Sequence, residues 1–144
     1  MMLEDTWFVM LQVDILLLGY PCKSISAQNN SSQAFNDKSS VTGGGFAALM
    51  RTVDKQQPEI VIAENVARLT HKRKKDGGKA PADIQQKAFE RRGYSGTFCK
   101  VNSAEFGLAQ CRTRCWAFYI KTHGNEFLGL KVNLEFCILH FLSS

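Results

Sequence analysis

Residues 13–22 read VDILLLGYPC, an almost continuously apolar run that ends in a proline–cysteine pair. A run of this kind is typical of a parallel strand that is covered on both faces. The pair Pro21-Cys22 places a thiol on the loop just beyond that strand, which is a common position for catalytic groups in open α/β sheets. The stretch therefore predicts a buried strand followed by a candidate nucleophile.

Polar motifs stand beside two further apolar runs. Glu64-Asn65-Val66 closes the run at residues 60–63, and Gln110-Cys111-Arg112-Thr113-Arg114 leads into the run at residues 115–120. In a strand, Arg112 and Arg114 share one face because successive side chains alternate. A nucleophile, an acid and an arginine pair, each at the mouth of a strand, make a candidate active site.

The rest of the chain alternates helical and strand patterns. The expected elements are helices from Phe46 to Gln57 and over residues 81–92, and strands over residues 60–63, 97–101 and 115–120, with a turn at residues 106–109. This order predicts an α/β fold with a parallel sheet and right-handed crossovers. Gly43-Gly44-Gly45 is interpreted as a flexible entry to the first helix rather than as a phosphate cradle.

Two polar stretches allow more than one interpretation. Residues 23–40 are rich in Ser, Asn and Gln and predict a long loop, which is either functional or a plain surface connection. Residues 71–78 are strongly charged. A solvated loop is the default interpretation of such a run, and a phosphate-contacting patch or a nuclear-import signal are its alternatives.

Composition limits the class of protein. The 144 residues suit one domain, and a net charge of +5 permits a polyanionic partner. Five cysteines, an odd number, follow an acidic start, which favours free thiols in an intracellular compartment. The apolar residues 8–18 are too short to span a bilayer, so no membrane association is expected. Cys111 and Cys115 lack a second ligand pair, so no metal is expected.

The order and context of the three motifs resemble the DNA (cytosine-5)-methyltransferase family. The resemblance covers roughly residues 13–121, and its Pro-Cys, Glu-Asn-Val and Gln-x-Arg-x-Arg motifs fall on Pro21-Cys22, Glu64-Asn65-Val66 and residues 110–114. It implies a Rossmann-like S-adenosylmethionine-dependent methyltransferase core with three layers. It also implies transfer of a methyl group from S-adenosylmethionine to carbon 5 of cytosine in DNA, through a covalent cysteine adduct.

By this resemblance the catalytic residues are Cys22, Glu64 and Arg114. The Cys22 thiolate adds to carbon 6 of cytosine, and the Glu64 carboxyl hydrogen-bonds ring nitrogen 3 and the exocyclic amine. That role of Glu64 requires a closed, water-poor pocket. Arg114 contacts the base, which must be flipped out of the DNA stack.

The resemblance also assigns binding residues. Ser26, Asn65, Gln110 and Arg112 fall on the substrate side, where Ser26 is expected to bind a backbone phosphate. Asn65 is expected to brace the turn, and Arg112 to form a structural ion pair. Pro21 is the one residue assigned to the cofactor.

The sequence departs from the family pattern in several places. Lys23 replaces the usual Gln after the cysteine, and Ala109 replaces the usual Pro before Gln110. Only one glycine, Gly19, precedes Cys22, whereas the family grips S-adenosylmethionine with a glycine-containing strand-to-helix loop. The core is therefore expected to be incomplete at its N-terminal cofactor-binding half.

These departures leave several hypotheses open. Residues 1–122 are predicted to form a partial catalytic domain, and residues 123–144 an out-of-family tail. The chain is then an enzyme, alone or completed by a second, complementing polypeptide, or an inactive remnant or DNA-binding subunit, or a relative that methylates transfer RNA. The expected location is the nucleus in a eukaryote and otherwise the cytoplasm or nucleoid. A thiol-redox protein is disfavoured because no Cys-x-x-Cys is present.

Overall fold

The structure, a computed structural model, describes residues 13–25 and 33–122. Its main elements are β1 (Ile15–Gly19), α1 (Val41–Gln56), β2 (Ile60–Val66), α2 (Pro81–Glu90), β3 (Tyr94–Asn102) and β4 (Thr113–Lys121). This confirms the α/β class. The predicted Ser26 site and the predicted tail at residues 123–144 lie outside the described residues, and the domain division at residue 122 stays a prediction.

The four strands form a mixed sheet in the order β1-β2-β4-β3. β1 and β2 are parallel, whereas β4 runs antiparallel to both of its neighbours, β2 and β3. The prediction of a wholly parallel sheet was therefore wrong. Residues 103–112 connect β3 to β4, and a parallel crossover needs about a dozen residues or more, usually with a helix. The turn expected at residues 106–109, with no helix beside it, was the signal for a hairpin.

One face of the sheet is buried against both described helices. Its buried and partly buried side chains share a core cluster with α1 and α2, and in the sheet they are Leu16, Leu18, Val61, Ala63, Cys115, Ala117 and Tyr119. The Tyr119 ring stacks on Phe89 of α2, with ring centroids 3.7 Å apart and an interplanar angle of 8°. The described residues thus supply one helical layer and the sheet, which are two of the three layers expected.

α1 begins earlier than predicted. Ser40 is its N-cap, and the Ser40 Oγ accepts a hydrogen bond from the Gly43 N–H at 2.9 Å. Gly43-Gly44-Gly45 therefore lies in the first turns of the helix and is not a flexible entry. Close packing explains the glycine at position 43, because a Cβ there would collide with the Asp37 carbonyl. At the other end, Gln57 stands at the C-cap in the left-handed region with φ 49°.

The opposite face and the outer edge of β1 are open in the described part of the chain. Ile15 and Leu17 project from β1 on this face and are 59% and 65% exposed. No described strand pairs with the outer edge of β1. Within residues 13–25 and 33–122, no helix has the length and apolar character needed to cross a membrane.

Candidate active site

The loop after β1 is held in place at Tyr20. The Tyr20 hydroxyl donates to Gln85 Oε1 of α2 at 2.5 Å, and the Tyr20 carbonyl accepts from Asn65 Nδ2 at 3.5 Å. Asn65 is 2% exposed, and its Oδ1 accepts the Val66 N–H at 2.8 Å. Asn65 therefore braces the turn that leads into Cys22, from the neighbouring strand β2.

α1 approaches the same loop closely. A Cβ on Gly45 would lie 3.0 Å from Pro21 Cδ, so the absence of a side chain lets the helix pack against the proline. Thr42 is fully buried, and its Oγ1 accepts the Ser24 N–H at 2.9 Å. Sequence analysis missed both supporting residues. The glycine cluster was a usable signal for Gly45, whereas nothing in the sequence distinguishes Thr42.

Cys22 carries a free, half-buried thiol at the carboxyl end of β1. Burial is the main cause that raises the pKa of this thiol above its usual value of 9.0, and the Glu64 carboxylate adds to the rise. A backbone hydrogen bond from Val66 and the Arg114 guanidinium act in the opposite direction. Glu64 and Arg114 thus both lie close enough to act on the thiol, and burial outweighs the cation.

Glu64 and Arg114 form an ion pair beside the thiol. Arg114 Nε lies 2.8 Å from Glu64 Oε1. A Cβ on Gly19 would lie 3.2 Å from Glu64 Oε2, so the last residue of β1 leaves room for the carboxylate. The Glu64 side chain is 32% exposed and the Arg114 side chain 27% exposed. The closed, water-poor pocket expected around Glu64 is therefore not formed by the described residues.

Gln110 and Arg112 lie on the connection between β3 and β4. Both are exposed, and their backbones are fixed by Ser103, whose hydroxyl donates to the Gln110 carbonyl and accepts the Arg112 N–H. Neither side chain hydrogen-bonds or ion-pairs with a described residue. The structural ion pair expected for Arg112 thus has no partner in this part of the chain. The structure gathers Cys22, Glu64 and Arg114, and it leaves these two side chains facing solvent.

Within the described ranges, no group of three or more His, Cys, Asp or Glu side chains is placed to hold a metal ion. Cys115 stands in β4 behind the site, fully buried, and burial raises the pKa of its thiol to about 11. Cys111 is exposed on the hairpin connection. Of these three thiols, Cys22 is the one that combines partial access with neighbouring charged groups.

Comparison with known proteins places the chain among methyltransferases. The sequence model of the C-5 cytosine-specific DNA methylase family matches residues 3–135. The type II methyltransferase M1.HphI of Haemophilus parahaemolyticus is 38% identical over 105 residues, which are 72% of this chain and 26% of that protein. The type II methyltransferase M.NgoBI of Neisseria gonorrhoeae is 32% identical over 130 residues, which are 85% of this chain and 38% of that protein.

Solved structures agree on the fold. The crystal structure of the S. pombe Dnmt2 methyltransferase matches 79% of this chain and 32% of that chain, with a TM-score of 0.51 and 16% sequence identity. The mixed sheet described above is thus part of a Rossmann-like methyltransferase fold. The chain spans roughly a quarter to two fifths of the length of the two curated relatives.

Proposed function

We propose that this chain, which belongs to the C-5 cytosine-specific DNA methylase family, provides the nucleophilic part of a DNA (cytosine-5)-methyltransferase. The observation that carries the proposal is the convergence of an acid and a guanidinium on one accessible thiol. Glu64 pairs with Gly19 at the end of β1, three residues before Cys22, and Arg114 Nε lies 2.8 Å from Glu64 Oε1. That set suits addition of a thiolate to an electron-poor ring whose developing charge must be stabilised.

The proposed reaction begins at Cys22. Its thiolate forms a bond from Sγ to carbon 6 of cytosine, and the electron pair of the 5,6 double bond becomes available at carbon 5. Carbon 5 would then bond to a methyl group supplied by S-adenosylmethionine, whose bond from that methyl to sulfur would break and leave S-adenosylhomocysteine. Loss of the carbon 5 proton to a base returns the electron pair, restores the double bond and expels the Cys22 thiolate. The Cys22 thiolate that began the cycle is regenerated, and the carbon 5 proton stays on the base, so the cycle balances in atoms and electrons.

Glu64 and Arg114 are proposed to hold the ring during that addition. A carboxyl group at Glu64 suits ring nitrogen 3 and the exocyclic amine, and a guanidinium at Arg114 suits the carbonyl oxygen of the base. In the described arrangement the two groups satisfy each other. Substrate entry therefore exchanges part of the Glu64–Arg114 ion pair for contacts with the base, which also displaces water from the partly exposed pair.

S-adenosylmethionine is the proposed methyl donor, and when bound it supplies an electrophilic methyl group. The described residues fit it only in part. Pro21 is exposed beside Cys22, and Gly19 ends β1 without a side chain. No described glycine-rich turn between a strand and a helix stands next to them. We therefore assign no cofactor contact beyond Pro21.

A second polypeptide that completes the enzyme is part of the proposal. The outer edge of β1 has no described partner strand, and Ile15 and Leu17 are more than half exposed beside it. An unpaired strand edge next to an apolar sheet face suits a further strand and a covering helix.

Trapping the covalent adduct tests the proposal. Duplex DNA containing 5-fluorocytosine is incubated with the chain, with and without S-adenosylmethionine, because fluorine at carbon 5 cannot leave as a proton. We expect a cofactor-dependent adduct that survives denaturing electrophoresis and maps to Cys22 by mass spectrometry. Cys22→Ala should abolish it, whereas Cys111→Ala, which removes an exposed thiol on the hairpin, should leave it intact.

The alternative is a remnant that retains the pocket and no longer turns over. Absence of any adduct from the chain alone, together with no measurable affinity for S-adenosylmethionine by calorimetry, would refute an enzyme that acts without a second polypeptide and support the remnant. An adduct that persists in Cys22→Ala would refute the assignment of the nucleophile.

A further inference from the structure

Two residues of the charged loop after β2 point inward rather than into solvent. The side chains of Arg73 and Asp76 are 13% and 0% exposed, and Arg73 Nη1 lies 3.2 Å from Asp76 Oδ2. The backbone closes the loop around them, because the Arg73 N–H donates to the Lys79 carbonyl at 3.1 Å and the Gly78 N–H donates to the Arg73 carbonyl at 3.0 Å. The charged run is therefore not a uniformly solvated loop.

The Arg73 guanidinium joins two segments that flank residues 26–32. Its Nη2 donates to the Ser24 carbonyl at 3.2 Å and to the Gln33 carbonyl at 2.7 Å. One nitrogen thus contacts the chain just after Cys22 and also the chain where it returns at Gln33, while the other nitrogen faces Asp76. The fork geometry of a guanidinium permits this, and a lysine ammonium cannot reproduce it.

Asp76 connects the Arg73 guanidinium to the hydrophobic core. Its Oδ1 accepts the Phe35 N–H at 2.7 Å, and Phe35 is fully buried with its ring 4.7 Å from that of Phe46 in α1. A buried carboxylate of this kind is stable only with its partners in place, because removing one leaves an uncompensated charge. Arg73 and Asp76 therefore act as one unit.

The Arg73–Asp76 pair is connected to the Cys22 thiol through the backbone turn that contains Cys22. The Ile25 N–H donates to the Cys22 carbonyl at 3.1 Å, and between these residues Ser24 is 3% exposed. Ser24 is held on both sides, with its N–H on Thr42 and its carbonyl on Arg73. The orientation of the turn at Cys22 is thus set by α1 from one side and by the charged loop from the other.

We propose that Arg73, held by Asp76, is a positioning residue that fixes the Cys22 turn against β2, and so sets where the thiol stands relative to Glu64. Glu64 lies in β2, and the charged loop follows β2 in the chain. A contact from this loop to Ser24 therefore fixes the position of the thiol relative to the Glu64 carboxyl group. This inference rests on the proposed function, which makes Cys22 the nucleophile. Arg73 itself contacts no substrate in this role.

A positioning role and a merely structural one give different signatures. If Arg73 only stabilised the fold, its loss would lower the melting temperature and leave the chemistry of Cys22 in the folded protein unchanged. If it positions the turn, its loss frees the half-buried thiol. Small reagents then reach Cys22 faster. Addition of the thiolate to a cytosine base of DNA becomes slower, because that reaction needs a fixed geometry.

The experiment measures both reactions in Arg73→Gln and Arg73→Lys. Modification of Cys22 by iodoacetamide is followed across pH by peptide mass spectrometry, and adduct formation with 5-fluorocytosine DNA is followed in parallel. We expect Cys22 alkylation to accelerate and its pH midpoint to move down, while adduct formation falls about tenfold, the range for removal of one charged hydrogen bond. Arg73→Lys keeps the charge opposite Asp76 and should show the same pattern to a smaller degree, which preserves the test if Arg73→Gln does not fold.

Arg92→Gln is the matched control. It removes another Arg–Asp ion pair, whose Nε–Oδ1 distance to Asp54 is 2.6 Å, at the opposite end of α1 from Cys22. It should lower stability and change neither reaction of Cys22. Equal effects of Arg73→Gln and Arg92→Gln on the two reactions, or unchanged alkylation in both folded Arg73 variants, would overturn the positioning role. A wild-type chain that forms no adduct yet shows the Arg73-dependent change in alkylation would refute the proposed function alone.

Discussion

Arg114 Nε lies 2.8 Å from Glu64 Oε1 because the two residues are diagonal neighbours on antiparallel strands. Val66 of β2 stands opposite Arg114 of β4, and Glu64 stands opposite Trp116, so the side chains of Glu64 and Arg114 share one face of the sheet. Both partners are partly exposed, and an ion pair of this kind contributes only about 0–1 kcal/mol to stability. The pair therefore adds little to folding, which agrees with the catalytic role proposed for both residues.

Glu64→Gln should therefore separate activity from stability. We expect the free energy of unfolding to change by less than about 1 kcal/mol. The rate of 5-fluorocytosine adduct formation should fall by about 10²-fold or more, because the carboxyl group proposed to hydrogen-bond the ring is lost. Urea unfolding and quenched adduct assays measure the two quantities. Asp54→Asn, which removes the carboxylate paired with Arg92, is the control and should leave the adduct rate unchanged; a comparable fall in both variants contradicts the assignment.

Alkylation of Cys22 should show a pH midpoint above 9.0, because burial raises the pKa of this thiol. The folded pKa exceeds the unfolded one, so the stability contributed by the neutral thiol is fully present below pH 9.0. It is lost as pH rises through the folded value. Iodoacetamide kinetics with peptide mapping measure the midpoint, and urea should move it down. Cys111 should react faster and Cys115 slower, and a Cys22 midpoint below 9.0 in the folded chain rejects the prediction.

Gly45→Ala tests the contact between α1 and the Pro21 turn. Alanine favours the helix by about 1 kcal/mol, but its Cβ would stand 3.0 Å from Pro21 Cδ and push the turn. We expect little net change in the melting temperature and a slower adduct reaction. Gly44→Ala is the control, since its Cβ would lie an ordinary 3.5 Å from the Lys38 carbonyl. It should raise the melting temperature and leave the adduct rate alone; identical behaviour of the two variants excludes the contact as a determinant.

Phe89→Ala should destabilise the fold by about 3–5 kcal/mol, the usual cost of emptying a buried aromatic site. Phe89 is fully buried and stacks on Tyr119, so its loss removes the contact between α2 and the centre of the sheet. Urea unfolding followed by circular dichroism measures the change. Phe106→Ala, at a phenylalanine that is 42% exposed on the hairpin connection, should cost far less. Similar losses at the two positions would show that α2 does not cover the sheet as described.

Lysines of the charged loop should contribute to DNA binding. Lys72, Lys74 and Lys79 are exposed on the loop that Arg73 ties to the Cys22 turn, so they stand at the same end of the sheet as the thiol. Changing all three to Gln should weaken binding to duplex DNA for every sequence. It should also reduce the slope of log affinity against log salt by about 0.9 for each phosphate that a lysine no longer neutralises.

Fluorescence anisotropy over a salt series measures that slope. Lys55→Gln is the control, because Lys55 lies in the last turn of α1, at the opposite end of the sheet. An unchanged slope in the triple variant would mean that the loop lysines contact no phosphate.

Most of the helices and strands and the three motifs could be predicted from the sequence, because their signals depend on residues close together in the chain. Apolar runs and the helix start at Pro81 depend on neighbours in the chain, and β1, β2 and α2 lie close to where these signals put them. Strand direction is not local. β4 is antiparallel because the connection from β3 is too short for a parallel crossover. The order of strands and helices alone does not reveal this.

Contacts between distant segments were beyond the sequence for the same reason. The motif predicts that Arg114 shares a face with Arg112, but the register of β2 against β4 decides that Arg114 meets Glu64. The burial of the Arg73 side chain could not be predicted, because Arg73 lies in a run of cationic residues. Composition alone cannot distinguish one buried guanidinium from its solvated neighbours. Such pairings depend on the whole fold.

The open edge of β1 has a consequence for handling this protein. The backbone groups on this edge, which no described strand pairs, can pair with β1 of another copy as readily as with a completing strand, and Ile15 and Leu17 lie beside them. Aggregation and completion of the sheet then compete for one surface. Soluble yield on co-expression with a completing polypeptide is therefore a measure of how fully that edge is occupied.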